Sequence, residues 1–115
     1  MNLLLILNKR PNDGTDVIWN ALRFVASSID GGISVNVFCM NDSVDLVCNG
    51  LEKIESYDLQ EMMMNSIGKG AKWKVCGTCL KRAGFMEEDV IKGIDVAIMT
   101  DLVNWLKEAD KALTF

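Results

Sequence analysis

The chain opens with five consecutive apolar residues, Leu3 to Leu7, and then turns polar in "NKRPNDG". A short, continuous apolar run bounded by turn signals predicts a strand buried on both faces, as in a parallel sheet. Pro11 and Asn12-Asp13-Gly14 end it, and Thr15 or Asp16 is placed to cap the next element. From Asp16 to Ile29 the period becomes helical. Val17, Ile18, Ala21, Leu22, Val25, Ala26 and Ile29 form one wide apolar stripe, closed by Gly31 and Gly32. Ser34 to Met40, "SVNVFCM", alternates and is rich in strand formers, which predicts a second strand. Asn41, Asp42 and Ser43 read as a turn and cap. Val44 to Cys48 reads as a short helix stopped by Asn49-Gly50.

Asp58 is placed to cap a second long helix, with Leu59, Met62, Met63 and Ile67 on its apolar face and Gly68 and Gly70 at its end. Lys72 to Cys76 predicts a third strand, Gly77-Thr78 a turn into a short helix through Lys81, and Glu87 to Lys92 a further helical turn. Asp95 to Met99, "DVAIM", predicts a fourth strand. Leu102, Val103, Leu106, Ala109 and Leu113 mark an amphipathic C-terminal helix capped by Asp101. Strands alternating with helices along the whole length predict an α/β fold. The expected form is one domain over residues 1–115, a mostly parallel four- to five-stranded sheet flanked by helices. In such sheets functional groups gather at the carboxyl ends of strands, which singles out Asn8, Asn41, Cys76 and Thr100.

Composition narrows the chemistry. The 115 residues are half hydrophobic and contain no linker tract, which suits a single core. The net charge of −4 argues against a nucleic-acid partner, because phosphate contacts need local cation. The absence of histidine removes Ser-His-Asp and Cys-His catalysis and every His-ligated metal site. The N-terminal apolar run lacks a basic region before it and is too short for a signal peptide or a membrane span. The expectation is a soluble, cytoplasmic protein without a membrane partner, whose four cysteines are thiols, ligands or redox groups rather than structural disulfides.

Two of those cysteines, Cys76 and Cys79, stand three apart in "KWKVCGTCLKRAG". Lys69, Lys72, Lys74, Lys81 and Arg82 cluster around them with no acid among them. Three chemistries are open to this CxxC. Zinc needs four ligands; the motif supplies two, and nothing local completes the shell. A thioredoxin-like pair expects the motif at the first turn of a long helix, whereas Gly84 stops this helix early. A nucleophilic or carrier cysteine fits the charge, since cations favour a thiolate or persulfide. On a strand Lys72, Lys74 and Cys76 share one face. Cys39 and Cys48 lie among apolar neighbours and read as core or interface thiols. Among the other residues, Asn8, Asn41 and Asp42 suit turn and cap chemistry or a place beside the cysteines. Met62 and Met63 fit the core. Met64 lies off that face and suits an oligomer or partner surface. Trp19 and Trp105, at the edges of their stripes, suit half-buried packing or an interface.

"KVCGTCLKRAG" at 74–84 and "GIDVAIMTDLVNWLKEADKALTF" at 93–115 resemble the DsrE/DsrF-like family of small sulfur-relay proteins, also known for the YchN-like fold. The resemblance implies an α/β fold on a mostly parallel sheet, assembled as homo-trimers or hexamers. It implies that Cys76, eight residues before Gly84, accepts sulfur as a persulfide from a donor protein and passes it to an acceptor. Cys79 is then a second candidate catalytic thiol, able to resolve the persulfide as a disulfide. Lys74, Gly77, Thr78 and Arg82 are the candidate substrate-binding residues. Members often carry Arg-Gly where this chain has Ala83-Gly84; its arginine stands one position earlier, at Arg82. Sulfur exchange of this kind needs no cofactor and no metal.

Overall fold

A computed structural model describes residues 1–52 and 57–115. Five strands form one sheet in the order β4-β3-β2-β1-β5, and every neighbouring pair is parallel. The strands are β1 (Asn2–Leu7), β2 (Ser34–Cys39), β3 (Lys72–Cys76), β4 (Asp95–Ala97) and β5 (Lys111–Thr114). The helices are α1 (Val17–Asp30), α2 (Leu59–Gly68), α3 (Gly77–Arg82) and α4 (Met99–Glu108). Two 3₁₀ segments, Asn41–Val47 and Glu87–Asp89, fill connections. The alternating residues of each strand divide the core in two. Leu3, Leu5, Val35, Val37, Trp73 and Val75 face one layer, which α1, α2 and the first 3₁₀ segment cover. Leu4, Phe38, Cys76 and Ala97 face the other, which α4 covers through Trp105.

The apolar stripe of α1 is buried as its period predicts, at Ile18, Ala21, Leu22 and Val25. Asp58 does cap α2, its carboxylate accepting the Glu61 N–H at 3.1 Å. Met63 is fully buried and Met62 packs against the core, while Met64 is exposed. Between α2 and β3 the Trp73 indole N–H donates to Ser66 Oγ at 2.9 Å, and that hydroxyl donates to the Met63 carbonyl at 2.6 Å. A buried indole is thereby satisfied without water.

Several expected boundaries move. The segment expected as a helix over Val44–Cys48 is 3₁₀ and starts at Asn41. Cys48 lies beyond it, in an isolated antiparallel bridge to Val90. The helical turn expected over Glu87–Lys92 is confined to Glu87–Asp89. β4 ends at Ala97 rather than Met99, because the Asp101 carboxylate accepts the Ile98 N–H at 2.9 Å and starts α4 at Met99. Thr100 consequently lies in the first turn of a helix, not at a strand end.

The largest difference is at the C-terminus. The expected helix through Leu113 stops at Glu108. The Asp110 N–H donates to the Asn2 carbonyl at 2.8 Å, and the Asp110 carboxylate accepts the Asn2 N–H at 2.6 Å. Those bonds launch β5 along β1. The physical reason is the free edge of β1: five apolar residues with an unpaired row of backbone groups outcompete continued helix. α4 therefore runs from one edge strand to the other across the second face of the sheet.

Trp105 is the buried residue of α4, set edge-on to Phe38 with ring centroids 6.4 Å apart. Its place at the stripe's edge thus resolves as core. Trp19 is half-buried, stacked on Tyr57 at 5.3 Å with the Arg23 guanidinium over its ring. Truncating Trp105 to Ala should cost about 3–5 kcal/mol of unfolding free energy, against under about 0.5 for Lys107→Ala on the exposed side. Urea titration followed by circular dichroism reads both; a Trp105→Ala loss close to that of Lys107→Ala would show that α4 is not held this way.

Candidate functional site

The carboxyl ends of β1, β2 and β3 converge on the CxxC. Cys76 is the last residue of β3, and Gly77 begins α3. Gly77 is small for a reason: a β-carbon there would lie 3.2 Å from Val96 Cγ1 and 3.5 Å from the Ala97 carbonyl. α3 can therefore sit close to β4. The Cys79 N–H turns back on the Cys76 sulfur at 3.4 Å. All four cysteines are free thiols.

The two sulfurs differ in surroundings. Cys76 is 6% exposed and packs with Leu4, Phe38, Ala97 and Trp105. Cys79 is half-buried at the seam of both core layers. It lines a cleft of about 170 Å³ with Asn41, Asp42, Arg82 and Ala83. The Asn41 backbone N–H donates to Cys79 Sγ at 3.2 Å. Burial pushes the Cys79 thiol up from its ordinary value. The Asn41 N–H pulls it back down, a hydrogen bond with the Cys76 thiol adds to the rise, and the Arg82 guanidinium opposes it.

Asn41 is held in place by its neighbours. Its φ is +53°, in the left-handed region that Asn tolerates better than most residues. Its side-chain amide donates to Asn8 Oδ1 at 2.7 Å. Asn8 is fixed in turn by its own N–H, which donates to the Phe115 carbonyl at 2.7 Å. Beside it the Ser43 hydroxyl bonds the Leu7 and Met40 carbonyls at 2.7 Å each. The ends of β1 and β2 and the residue after β5 thus hold one backbone N–H against one sulfur.

The basic residues of the motif disperse rather than converge. Arg82 lines the Cys79 cleft. Thr78 and Lys81 line a separate, largely apolar groove with Gly77, Phe85, Met86 and Ile98. Lys74 shares its strand face with Cys76, and its ammonium lies 4.6 Å from the Trp105 ring centroid. Lys69 pairs with Asp30 at 3.6 Å. Cys39 and Cys48 are buried among apolar side chains, as expected. Burial pushes Cys39 up to about 12 and Cys48 up to about 11. Among the described residues, no three His, Cys, Asp or Glu side chains are grouped to hold a metal ion.

In the sequence Asn8 and Asn41 stand at strand ends, and nothing there reveals that they bond each other. Nor could it reveal the backbone donor aimed at Cys79, because a main-chain N–H leaves no residue-type signal. On iodoacetamide treatment of the native protein, Cys79 should be modified first. Its rate should still be climbing above about pH 8.5, the ordinary thiol value. Cys39 and Cys48 should react only after unfolding. Peptide mapping checks the order; early modification of Cys39 or a Cys79 plateau below about pH 7 would contradict this environment.

The comparisons with known proteins cover the whole chain. A family model described as "DsrE/DsrF-like family" matches residues 1–115. An uncharacterized protein of Methanocaldococcus jannaschii is 36% identical over 115 residues, covering 100% of both chains. An uncharacterized protein of Methanopyrus kandleri is 35% identical over 113 residues, 98% of this chain and 93% of the relative. The crystal structure of the YchN protein from Escherichia coli superposes with a TM-score of 0.88 at 26% identity, covering 100% of this chain and 99% of that one. A Methanobacterium thermoautotrophicum structure of unknown function, at 14% identity and a TM-score of 0.81, shares the fold. With a match over its full length and relatives above 30% identity, this α/β chain belongs to the DsrE/DsrF-like family, a family associated in general with sulfur relay.

Proposed function

We propose that this protein is a sulfur carrier that holds sulfur as a persulfide on Cys76 and hands it to an acceptor thiol. The observation that carries the reading is a pair of free cysteines where β3 passes into α3, the Cys79 N–H on the Cys76 sulfur at 3.4 Å and Cys79 opening on a cleft, in a chain of this family. Loading is an exchange between sulfurs. A chain thiolate attacks the outer sulfur of a donor persulfide, a new S–S bond forms, and the donor leaves as its thiolate with the electron pair of the broken bond. Discharge repeats the exchange, with the acceptor thiolate attacking the outer sulfur. No net oxidation occurs, and no cofactor enters either step. Lys74, Gly77, Thr78 and Arg82 are the surrounding residues we assign to substrate binding, Arg82 directly at the cleft. The donor and acceptor are proteins of the cytoplasm, where thiols stay reduced. No helix among the described residues is long and apolar enough to cross a membrane.

The same reading includes self-association as a trimer or hexamer. Ile98, Met99, Val103 and Leu106 leave an apolar flank of α4 in solvent, with Met99 53% and Leu106 54% exposed. An unpartnered flank on the helix that spans the sheet suits a contact between copies. A Val103→Glu/Leu106→Glu variant should elute as a smaller species on size-exclusion chromatography with light scattering, its circular dichroism unchanged. A wild-type protein that is already monomeric would remove self-association from the reading.

The carrier itself is tested by intact mass. Reduced protein incubated with a small-molecule persulfide donor should gain sulfur, mapped to Cys76 after alkylation and proteolysis. The Cys76→Ser/Cys79→Ser variant should gain none. Absence of uptake by the wild type would overturn the carrier reading, and sulfur mapped to Cys79 alone would overturn Cys76 as its resting place. A second reading, thiol–disulfide cycling, draws on the closeness of the two cysteines, the Cys79 N–H standing 3.4 Å from the Cys76 sulfur. It predicts loss of two hydrogens under mild oxidation without sulfur uptake.

A further inference from the structure

We infer that Cys79, not Cys76, is the thiol that first meets the incoming sulfur, and that the Asn8–Asn41 pair is the device that readies it. The inference rests on the carrier reading above. It begins from a conflict of access. Cys76 ends β3 among Leu4, Phe38, Ala97 and Trp105, and is 6% exposed. A donor's outer sulfur must approach its attacker in line, so a sulfur walled by two aromatic rings and two aliphatic chains is a poor first nucleophile. Cys79 lines the cleft of about 170 Å³, room for the end of a persulfide-bearing side chain.

The groups facing Cys79 suit that task from three elements. From the 3₁₀ segment, Asn41 donates its backbone N–H to the sulfur at 3.2 Å, and Asp42 lines the rim. From α3, Arg82 supplies a cation at the cleft. From β3, Cys76 stands behind as the next sulfur, accepting the Cys79 N–H at 3.4 Å. The N–H is preset. Asn41 sits at φ +53° and its amide is clamped to Asn8 Oδ1 at 2.7 Å, so the donor is aimed before any ligand arrives. A fixed N–H on a sulfur that must become anionic stabilises the attacking form without reorganisation. Asn8 and Asn41 are thus positioning residues, acting through Cys79.

The steps balance. The Cys79 thiolate attacks the outer sulfur of R–S–SH; the new bond gives Cys79–S–SH, and R–S⁻ leaves with the bonding pair. The Cys76 thiolate then attacks the outer sulfur of Cys79–S–SH. Cys76–S–SH forms, Cys79 leaves as thiolate, and the proton given up by Cys76 passes to it. The sulfur ends in the apolar cluster, out of reach of competing thiols in solvent.

Time-resolved intact mass with peptide mapping tests the order, using full-length chain and the same small-molecule persulfide donor. Cys76→Ser should take up sulfur at the wild-type rate and keep it on Cys79. Cys79→Ser should load Cys76 at least about tenfold more slowly, because the remaining thiol is the buried one. Asn8→Ala keeps both thiols and serves where a cysteine variant fails to fold. Its pH profile of Cys79 alkylation should move up by about one pH unit, the size of a lost hydrogen bond to an anion. Loading of Cys76 in Cys79→Ser as fast as in wild type, or an unshifted Asn8→Ala profile, would overturn the inference while leaving the carrier standing. No sulfur on the wild type would remove the carrier reading and this inference together.

Discussion

One contact holds the second half of this fold together: the edge-on packing of Trp105 against Phe38. The first face of the sheet is covered three times over, by α1, α2 and the 3₁₀ segment. The second is covered by α4, and α4 buries one residue. An indole of that size removes much apolar surface from water, so Trp105 is the main anchor of a ten-residue helix, with Leu102 and Ala109 packed beside it. Lys74 completes the seat from β3 with its ammonium over the same ring, a contact that gains strength as the site is desolvated.

That anchor also sets the two cysteines of the CxxC in different surroundings. Cys76 faces the Trp105 cluster because residues alternate along β3; Cys79 touches only the edge of that cluster, because α3 turns the chain away at Gly77 and leaves its sulfur half-buried at the cleft. Two sulfurs three residues apart thus end in different media. One lies in the dry layer under α4, and the other lies in a polar cleft with a backbone donor and a guanidinium. Cys39 and Cys48 show the alternative, thiols buried among apolar side chains and pushed up to about 12 and about 11.

The sequence showed most of this frame and missed its close. α1 and α2 were legible from their helical period, β2 from its alternation of strand formers, and β1 from an unbroken apolar run bounded by turn residues. Asp58 was legible as a cap because capping is local chemistry. The tail was not. Leu102, Val103, Leu106, Ala109 and Leu113 satisfy helical spacing equally well on either side of Glu108, and the deciding interaction, Asp110 with Asn2, lies far away in sequence. Trp105 was similarly opaque, since its partner Phe38 sits on another strand. At the site, the CxxC announced itself by residue type. The basic residues around it suggested a single patch, but strand alternation and helix direction send Lys74, Lys81 and Lys69 to three different places.

The pairing of β1 with β5 links Asn2 to Asp110 across 108 residues. Contacts of that span form late, since the entropy of closing the loop must be overcome first. Until then β1 offers an open edge of apolar residues, a ready template for another copy during synthesis or refolding. β5 seals it and is itself a poorer template, four residues long and beginning with a lysine. α4 is thus a carrier in a mechanical sense: it delivers a short protective strand to the edge most exposed to misassembly. Loosening its main anchor would loosen the strand it delivers, and the edge of β1 with it.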